Sequence, residues 1–185
     1  LMDYAFEYVR KKGLCSEEAY PYEGEQGECR ETECVPVARS VGYEIVPEND
    51  GVALRAAVAQ GPVSVAVEAD SPIFQLYVSG VVDSELCGTL LNHGVLAVGF
   101  AMDYWVVKNS WGEDWGESGF IRIKMSDDGP GICGINSAAL YPTFCICLLH
   151  QTRKTTSSSP SAPPSVLLKS VPSALKRHHY SSPCL

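Results

Sequence analysis

A chain that reads HGVLAVGF over residues 93–100, passes through Ala101, Met102 and Asp103, and returns as YWVVKNSW has little choice but to fold back on itself. Both runs are rich in β-branched and aromatic residues, and three-residue connections are common in hairpins. Pairing Phe100 with Tyr104 sets the register, with Leu96 opposite Lys108, Val95 opposite Asn109 and His93 opposite Trp111. Strand side chains alternate with period two, so His93, Val95, Asn109 and Trp111 should emerge on one face. Asn109 becomes a diagonal neighbour of His93, near enough for a side-chain hydrogen bond.

Such a pair has two readings. An amide oxygen that accepts from one ring N–H fixes the tautomer and orientation of an imidazole, leaving the other nitrogen free to exchange a proton with a nucleophile. An indole beside them would screen that bond from water and strengthen it. The alternative is a buried histidine satisfied by an asparagine for purely structural reasons. Spacing leaves both open.

The remaining pattern is that of an α+β chain whose larger piece is an antiparallel sheet or barrel. LMDYAFEYVRKKG reads as an amphipathic helix, with Leu1, Ala5, Tyr8 and Val9 on one stripe, Arg10, Lys11 and Lys12 at its C-terminal end and Gly13 as its stop. A chain that begins inside a finished element is expected to have lost its beginning. Residues 15–34 are rich in Gly, Glu and Pro and read as a loop pinned by cysteines. PENDGVALRAAVAQGP gives a polar cap, a short helix carrying Val52, Leu54, Ala57 and Val58, and a Gly-Pro stop. VSVAVEA and GFIRIKM supply further strands. Beyond Pro142 the chain turns rich in Ser and Pro without periodicity, so residues 143–185 are expected to be a disordered tail. The division expected is 1–34, 35–142 and 143–185.

Charge and cysteine content narrow the function classes. The tail holds five basic residues and no acid, leaving nine basic against 22 acidic side chains in the rest, a net of −13. No basic face exists there to meet phosphates, which argues against a nucleic-acid partner. No apolar run is long enough to span a bilayer, so no membrane role is expected. Eight cysteines suggest an oxidising compartment. Cys29–Cys34 and Cys145–Cys147 lack the paired C-x-x-C knuckles and histidines of a zinc site, so disulfides or free thiols are expected and no metal or cofactor is implied.

LNHGVLAVGF, YWVVKNSWGEDWGESGFIRI and GICGINSAALYP together resemble the papain-like cysteine proteases, the group of papain and the cathepsin L-like enzymes. YPYEG, QGPVSVAVEA and FQLYVSGVV agree, so the likeness runs from Leu1 to about Pro142. It implies an incomplete papain-like fold: a C-terminal β-rich domain with a remnant helix of an N-terminal helical domain. His93 matches the catalytic histidine, which forms an ion pair with a cysteine thiolate, and Asn109 the residue that orients it. Trp111 matches the indole that covers this pair, and Trp115 a second aromatic of the adjoining wall. Ala66, Leu91 and Ala138 match positions lining the main specificity pocket. All three are small or apolar with no acid at the base, implying a preference for a hydrophobic side chain. Asn92, beside the histidine, stands where papain has aspartate. Cys87 and Cys133 match a family disulfide, and Cys29 matches a cysteine whose partner lies in the first domain. Cys15 and Cys34 are less general, and a bridge between them is a hypothesis.

The nucleophile is the missing half. The family's catalytic cysteine stands roughly 130 residues before the histidine, which falls about 40 positions before Leu1. Cys15, Cys29 and Cys34 sit in acidic loops, where carboxylates raise a thiol pKa instead of lowering it. The expectation is therefore a papain-like endopeptidase chain carrying the histidine and asparagine but not the sulfur, inactive alone. Its partners would be a peptide or protein substrate, the missing N-terminal domain segment, and cystatin-like or propeptide inhibitors. The compartment would be lysosomal, vacuolar or extracellular. A non-catalytic relative that keeps the fold for binding or storage is the alternative.

Overall fold

The computed structural model describes residues 1–144, and Leu1–Phe144 form one compact unit. The expected tail, with Cys145, Cys147 and Cys184, lies outside these residues apart from Thr143 and Phe144. In chain order the elements are α1 (Met2–Lys12), β1 (Gly42–Ile45), α2 (Gly51–Val58), β2 (Val63–Val67), α3 (Pro72–Gln75), β3 (Val81–Val82), β4 (His93–Phe100), β5 (Tyr104–Lys108), β6 (Phe120–Lys124) and β7 (Ala139–Thr143). Seven strands form a sheet in the order β1-β7-β2-β4-β5-β6-β3. All neighbours pair antiparallel except β3 and β6, which run parallel. The architecture is α+β, with β1 and β3 as the two edges of the described sheet.

Alternation builds the core. Val63, Val65 and Val67 of β2 are fully buried, as are Trp105 and Val107 of β5 and Ile121 and Ile123 of β6. Each large aliphatic side chain removed from water in this way contributes about 1.5–3 kcal/mol. Helix α2 is capped by Asp50, whose side chain accepts from Ala53 N at 2.8 Å. It buries Leu54, Ala57 and Val58, whereas Val52 points outward and is 54% exposed.

The β4–β5 hairpin departs from the expected register at its tip and regains it toward the site. Phe100 pairs with Trp105, not Tyr104, and Gly99 with Val106. A bulge between Ala97 and Gly99 then restores Ala97 opposite Val107 and Leu96 opposite Lys108. The extra residue taken up by β4 offsets a tighter turn, in which Ala101 N donates to Tyr104 O at 2.9 Å across Met102 and Asp103. The ladder ends at Leu96 and Lys108, so Val95 and Asn109, and His93 and Trp111, are not strand partners. Instead His93 pairs with Val67 of β2, and Asn109 N donates to Gly119 O at 2.9 Å.

Helix α1 packs on β1 and β7 through a stripe adjacent to the expected one. Met2, Phe6 and Val9 are partly buried, and Phe6 stacks on Tyr43 with ring centroids 5.9 Å apart. Leu1, Tyr4, Ala5 and Tyr8 are exposed. The helix is apolar across both flanks, so its pattern alone does not say which flank meets the sheet. Among the described residues, no helix is long and apolar enough to cross a membrane, and no group of side chains could hold a metal ion.

Candidate active site

His93 opens β4, and the residue before it is tied down by Asn92 N donating to Val67 O at 3.0 Å. Asn109 follows β5 directly and is 7% exposed. His93 Nε2 lies 2.8 Å from Asn109 Oδ1, and Ser110 N donates to the same oxygen at 2.8 Å. The backbone N–H of Ser110 can only donate, so the atom it meets must be the amide oxygen. His93 Nε2 must then carry its hydrogen toward that oxygen, which leaves Nδ1 as the free nitrogen. An imidazole fixed in this way can pass a proton between Nδ1 and a group entering the cleft. Asn109 Nδ2 is buried without a partner among the described residues.

Aromatic rings pack around the imidazole. Trp111 lies with its ring centroid 5.1 Å from that of His93, tilted 32°, and is 41% exposed. Trp115 meets Trp111 edge-on at 5.3 Å and donates its Nε1–H to Gln75 O at 3.1 Å. Beneath them sits Phe74, fully buried, with its centroid 6.3 Å from His93, 5.6 Å from Trp111 and 5.3 Å from Trp115. Offset and edge-to-face contacts of this kind add about 0.5–1.5 kcal/mol each beyond area burial. The Ser71-Pro72 pair is a readable helix start, but nothing in the sequence pattern says that Phe74 lies under both tryptophans.

On its other side His93 faces a cleft of about 730 Å³. Ala66 of β2, Leu91 and Asn92 before β4, and Ala138 before β7 all line it. Ala66 N donates to Ala138 O at 2.9 Å, which fixes two of the walls side by side. Leu1, Met2 and Asp3 at the start of α1 line the same cleft, as does Glu48. These four fall far from the histidine in sequence and only the sheet brings them near. The lining is mostly apolar, with the Asp3 and Glu48 carboxylates as its charged members.

Cys87 is joined to Cys133 across 46 residues and Cys15 to Cys34 across 19, with Cα–Cα distances of 4.9 and 6.1 Å. Cys29 is exposed and bonds to no other described cysteine. Among the described residues, no cysteine lines the cleft that His93 faces.

Two carboxylate–guanidinium pairs bear on the elements around the site. Arg122 holds the Glu117 carboxyl below its usual range, and Glu117 also accepts from Gly80 N at 3.0 Å. This ties the loop carrying Trp115 to the segment after α3. Arg10 and Lys11 hold the half-buried Glu7 carboxyl on α1 well below its usual range, with a pKa of about 2.

Residues 1–143 match the model of the papain family cysteine proteases. The chain is 50% identical over 151 residues to the cysteine endopeptidase RepA of Oryza sativa, covering 77% of this chain and 40% of that protein. It is 49% identical over 149 residues to a KDEL-tailed cysteine endopeptidase of Arabidopsis thaliana, covering 77% and 41%. Among solved structures it is similar to a Carica candamarcensis cysteine protease, with a TM-score of 0.74 at 42% identity over 78% of this chain and 68% of that one. The ragweed pollen cysteine protease Amb a 11 in its proform gives a TM-score of 0.73 at 37% identity over 78% and 46%. The chain thus spans about two fifths of the length of these curated relatives, and the fold of the part it spans is papain-like. It belongs to the papain family of cysteine proteases.

Proposed function

We propose that the protein acts as a cysteine-type endopeptidase in which His93 is the proton-transfer group and Asn109 its orienting partner. The observation that carries this is the 2.8 Å contact from His93 Nε2 to an Asn109 oxygen already claimed by Ser110 N–H. It leaves Nδ1 facing outward for a thiol. In this reading a cysteine thiolate, paired with the His93 imidazolium, attacks the scissile carbonyl. His93 gives its proton to the leaving amine, and water, deprotonated by His93, then hydrolyses the acyl-enzyme. In this reading the thiol is supplied by the part of the papain-family fold that this chain does not span, its curated relatives being covered over 40% and 41% of their length. Residues 1–34 then belong with that part of the fold and 35–142 form the β-rich domain. Trp111 and Trp115 shield the pair.

Ala66, Leu91, Asn92 and Ala138 form the pocket for the substrate side chain that precedes the scissile residue, with Met2 as a further wall. Its small and apolar lining supports a preference for a hydrophobic side chain there. The ligands of such a cleft are extended peptides, and propeptide or cystatin-like inhibitors would occupy it in the same way. The Amb a 11 relative is known in a proform, which supports the first of these. A vacuolar, lysosomal or extracellular setting fits the two disulfides.

An epoxide that alkylates catalytic thiols tests the reading. The 185-residue chain should not be labelled, while the full-length protein should be labelled at an upstream cysteine in a manner abolished by His93→Ala. Labelling that survives that substitution, or that falls on Cys15, Cys29 or Cys34, would refute it.

A further inference from the structure

Between Cys87 and His93 the chain runs through Gly88–Asn92 without regular structure, and Thr89, Leu90, Leu91 and Asn92 are exposed. A segment of this kind ordinarily moves. Here it forms one wall of the cleft through Leu91 and Asn92, so its mobility would blur the pocket. Its two ends are fixed by the Cys87–Cys133 disulfide and by Asn92, whose N–H donates to Val67 O at 3.0 Å and whose Oδ1 accepts from Ala69 N at 2.8 Å. The middle is held by one carboxylate. Glu68 Oε2 accepts the backbone N–H of Leu90 at 2.5 Å.

Glu68 is placed to join two walls at once. It is the first residue beyond β2, and its own N–H donates to Cys133 O at 2.9 Å, on the side of the pocket that carries Ala138. Its carboxylate fills the space over Gly88, where a Cβ would come within 2.3 Å of Oε1, Oε2 and Cδ. Gly88 also has φ of 80°, so residue 88 is glycine for two reasons that Glu68 shares in. Leu91 in turn packs on Gly134, where a Cβ would stand 2.7 Å from its Cδ2. Leu91 is thereby located from both sides, by Gly134 below and by the held Leu90 before it.

We infer that Glu68 is a positioning residue for substrate selection: by holding Leu90 it sets where Leu91 stands, and so how tightly the cleft grips an apolar side chain. This rests on the endopeptidase reading above. It concerns affinity in the pocket and leaves the His93–Asn109 pair unaltered.

The test compares two peptides in the full-length enzyme, with leucine or with glycine at the residue before the scissile one. Glu68→Ala should raise KM for the leucine peptide about tenfold, the loss of one charge-assisted hydrogen bond, while kcat stays within about twofold and the glycine peptide changes little. Glu68→Gln should stay near the wild-type KM, because its amide oxygen can accept the same N–H. Equal losses on both peptides, a fall in kcat at constant KM, or a Gln variant as poor as the Ala variant would overturn the inference. Amide hydrogen exchange in the unmutated protein gives a readout independent of activity. The Leu90 N–H should be protected well beyond that of exposed Thr89, and equal rates would overturn the inference. A wild-type enzyme that cleaves neither peptide while protecting Leu90 N–H would sink the endopeptidase reading and the role in substrate selection with it, leaving only the Glu68–Leu90 contact.

Discussion

His93 Nε2 and Asn109 Oδ1 stand 2.8 Å apart although their residues are held by different neighbours, His93 by Val67 of β2 and Asn109 by the carbonyl of Gly119. The contact therefore reports the relative placement of two parts of the sheet. Removing the amide should free the imidazole without disturbing either strand. Asn109→Ala is expected to lower kcat/KM of the full-length enzyme about 10- to 100-fold, the range for losing a hydrogen bond to a group that becomes charged, with little change in KM. Steady-state kinetics checks this, with far-ultraviolet circular dichroism to show that the sheet is kept.

Phe74 supports Trp111, Trp115 and His93 from below and is fully buried. Phe74→Ala should cost about 3–5 kcal/mol of stability by leaving a cavity under the tryptophans. Denaturant titration would show it as a lower midpoint at unchanged slope. Tryptophan emission should shift to the red in the folded variant as water enters beside the indoles.

Arg122 is raised above the usual guanidinium range by Glu117, and Glu117 is lowered from 4.5 by Arg122, with both side chains about a third exposed. A carboxyl whose folded pKa is depressed binds fewer protons when folded than when unfolded. Its contribution to stability is complete above the unfolded value and is lost as pH falls through the folded one. Thermal unfolding followed downward from pH 5 should show a shallower loss for Glu117→Gln than for the wild type. Parallel curves would mean that solvent screens the pair completely.

The Cys87–Cys133 bridge closes 46 residues and anchors the segment leading to His93. In the chain-entropy account such a loop contributes about 4 kcal/mol through the unfolded state. Cys87→Ser with Cys133→Ser should lower stability by that order and raise the exchange rates of the Gly88–Asn92 amides. The Cys15–Cys34 bridge spans 19 residues and neither of its cysteines lines the cleft, so its removal should leave those amides as they were.

The strands that carry the site were legible because each alternates between buried and less buried positions: Val63–Val67, Tyr104–Lys108 and Phe120–Lys124 all do. The meeting of His93 and Asn109 was legible for a partly mistaken reason. The hairpin tip is one residue tighter than the expected three-residue loop, and a bulge in β4 cancels the shift before it reaches the site. A bulge has no marker in a run such as VLAVGF beyond its glycine. Strands β1 and β7 are not legible in the local pattern because their partners are distant: Gly42–Ile45 pairs with residues 140–143, and neither stretch alternates. Phe74 and Glu68 act through tertiary contacts, which local pattern does not encode. The cleft residues Leu1, Met2 and Asp3 reach His93 only through the docking of α1 on the sheet.

Nitrogen-15 spectroscopy of the His93 ring, recorded from neutral to mildly acidic pH, tests the central geometry most directly. The account predicts that Nε2 carries a proton in the neutral ring, that Nδ1 is the nitrogen gaining one on acidification, and that Asn109→Ala mixes the two tautomers. A neutral ring protonated at Nδ1, or a tautomer unmoved by Asn109→Ala, would contradict it.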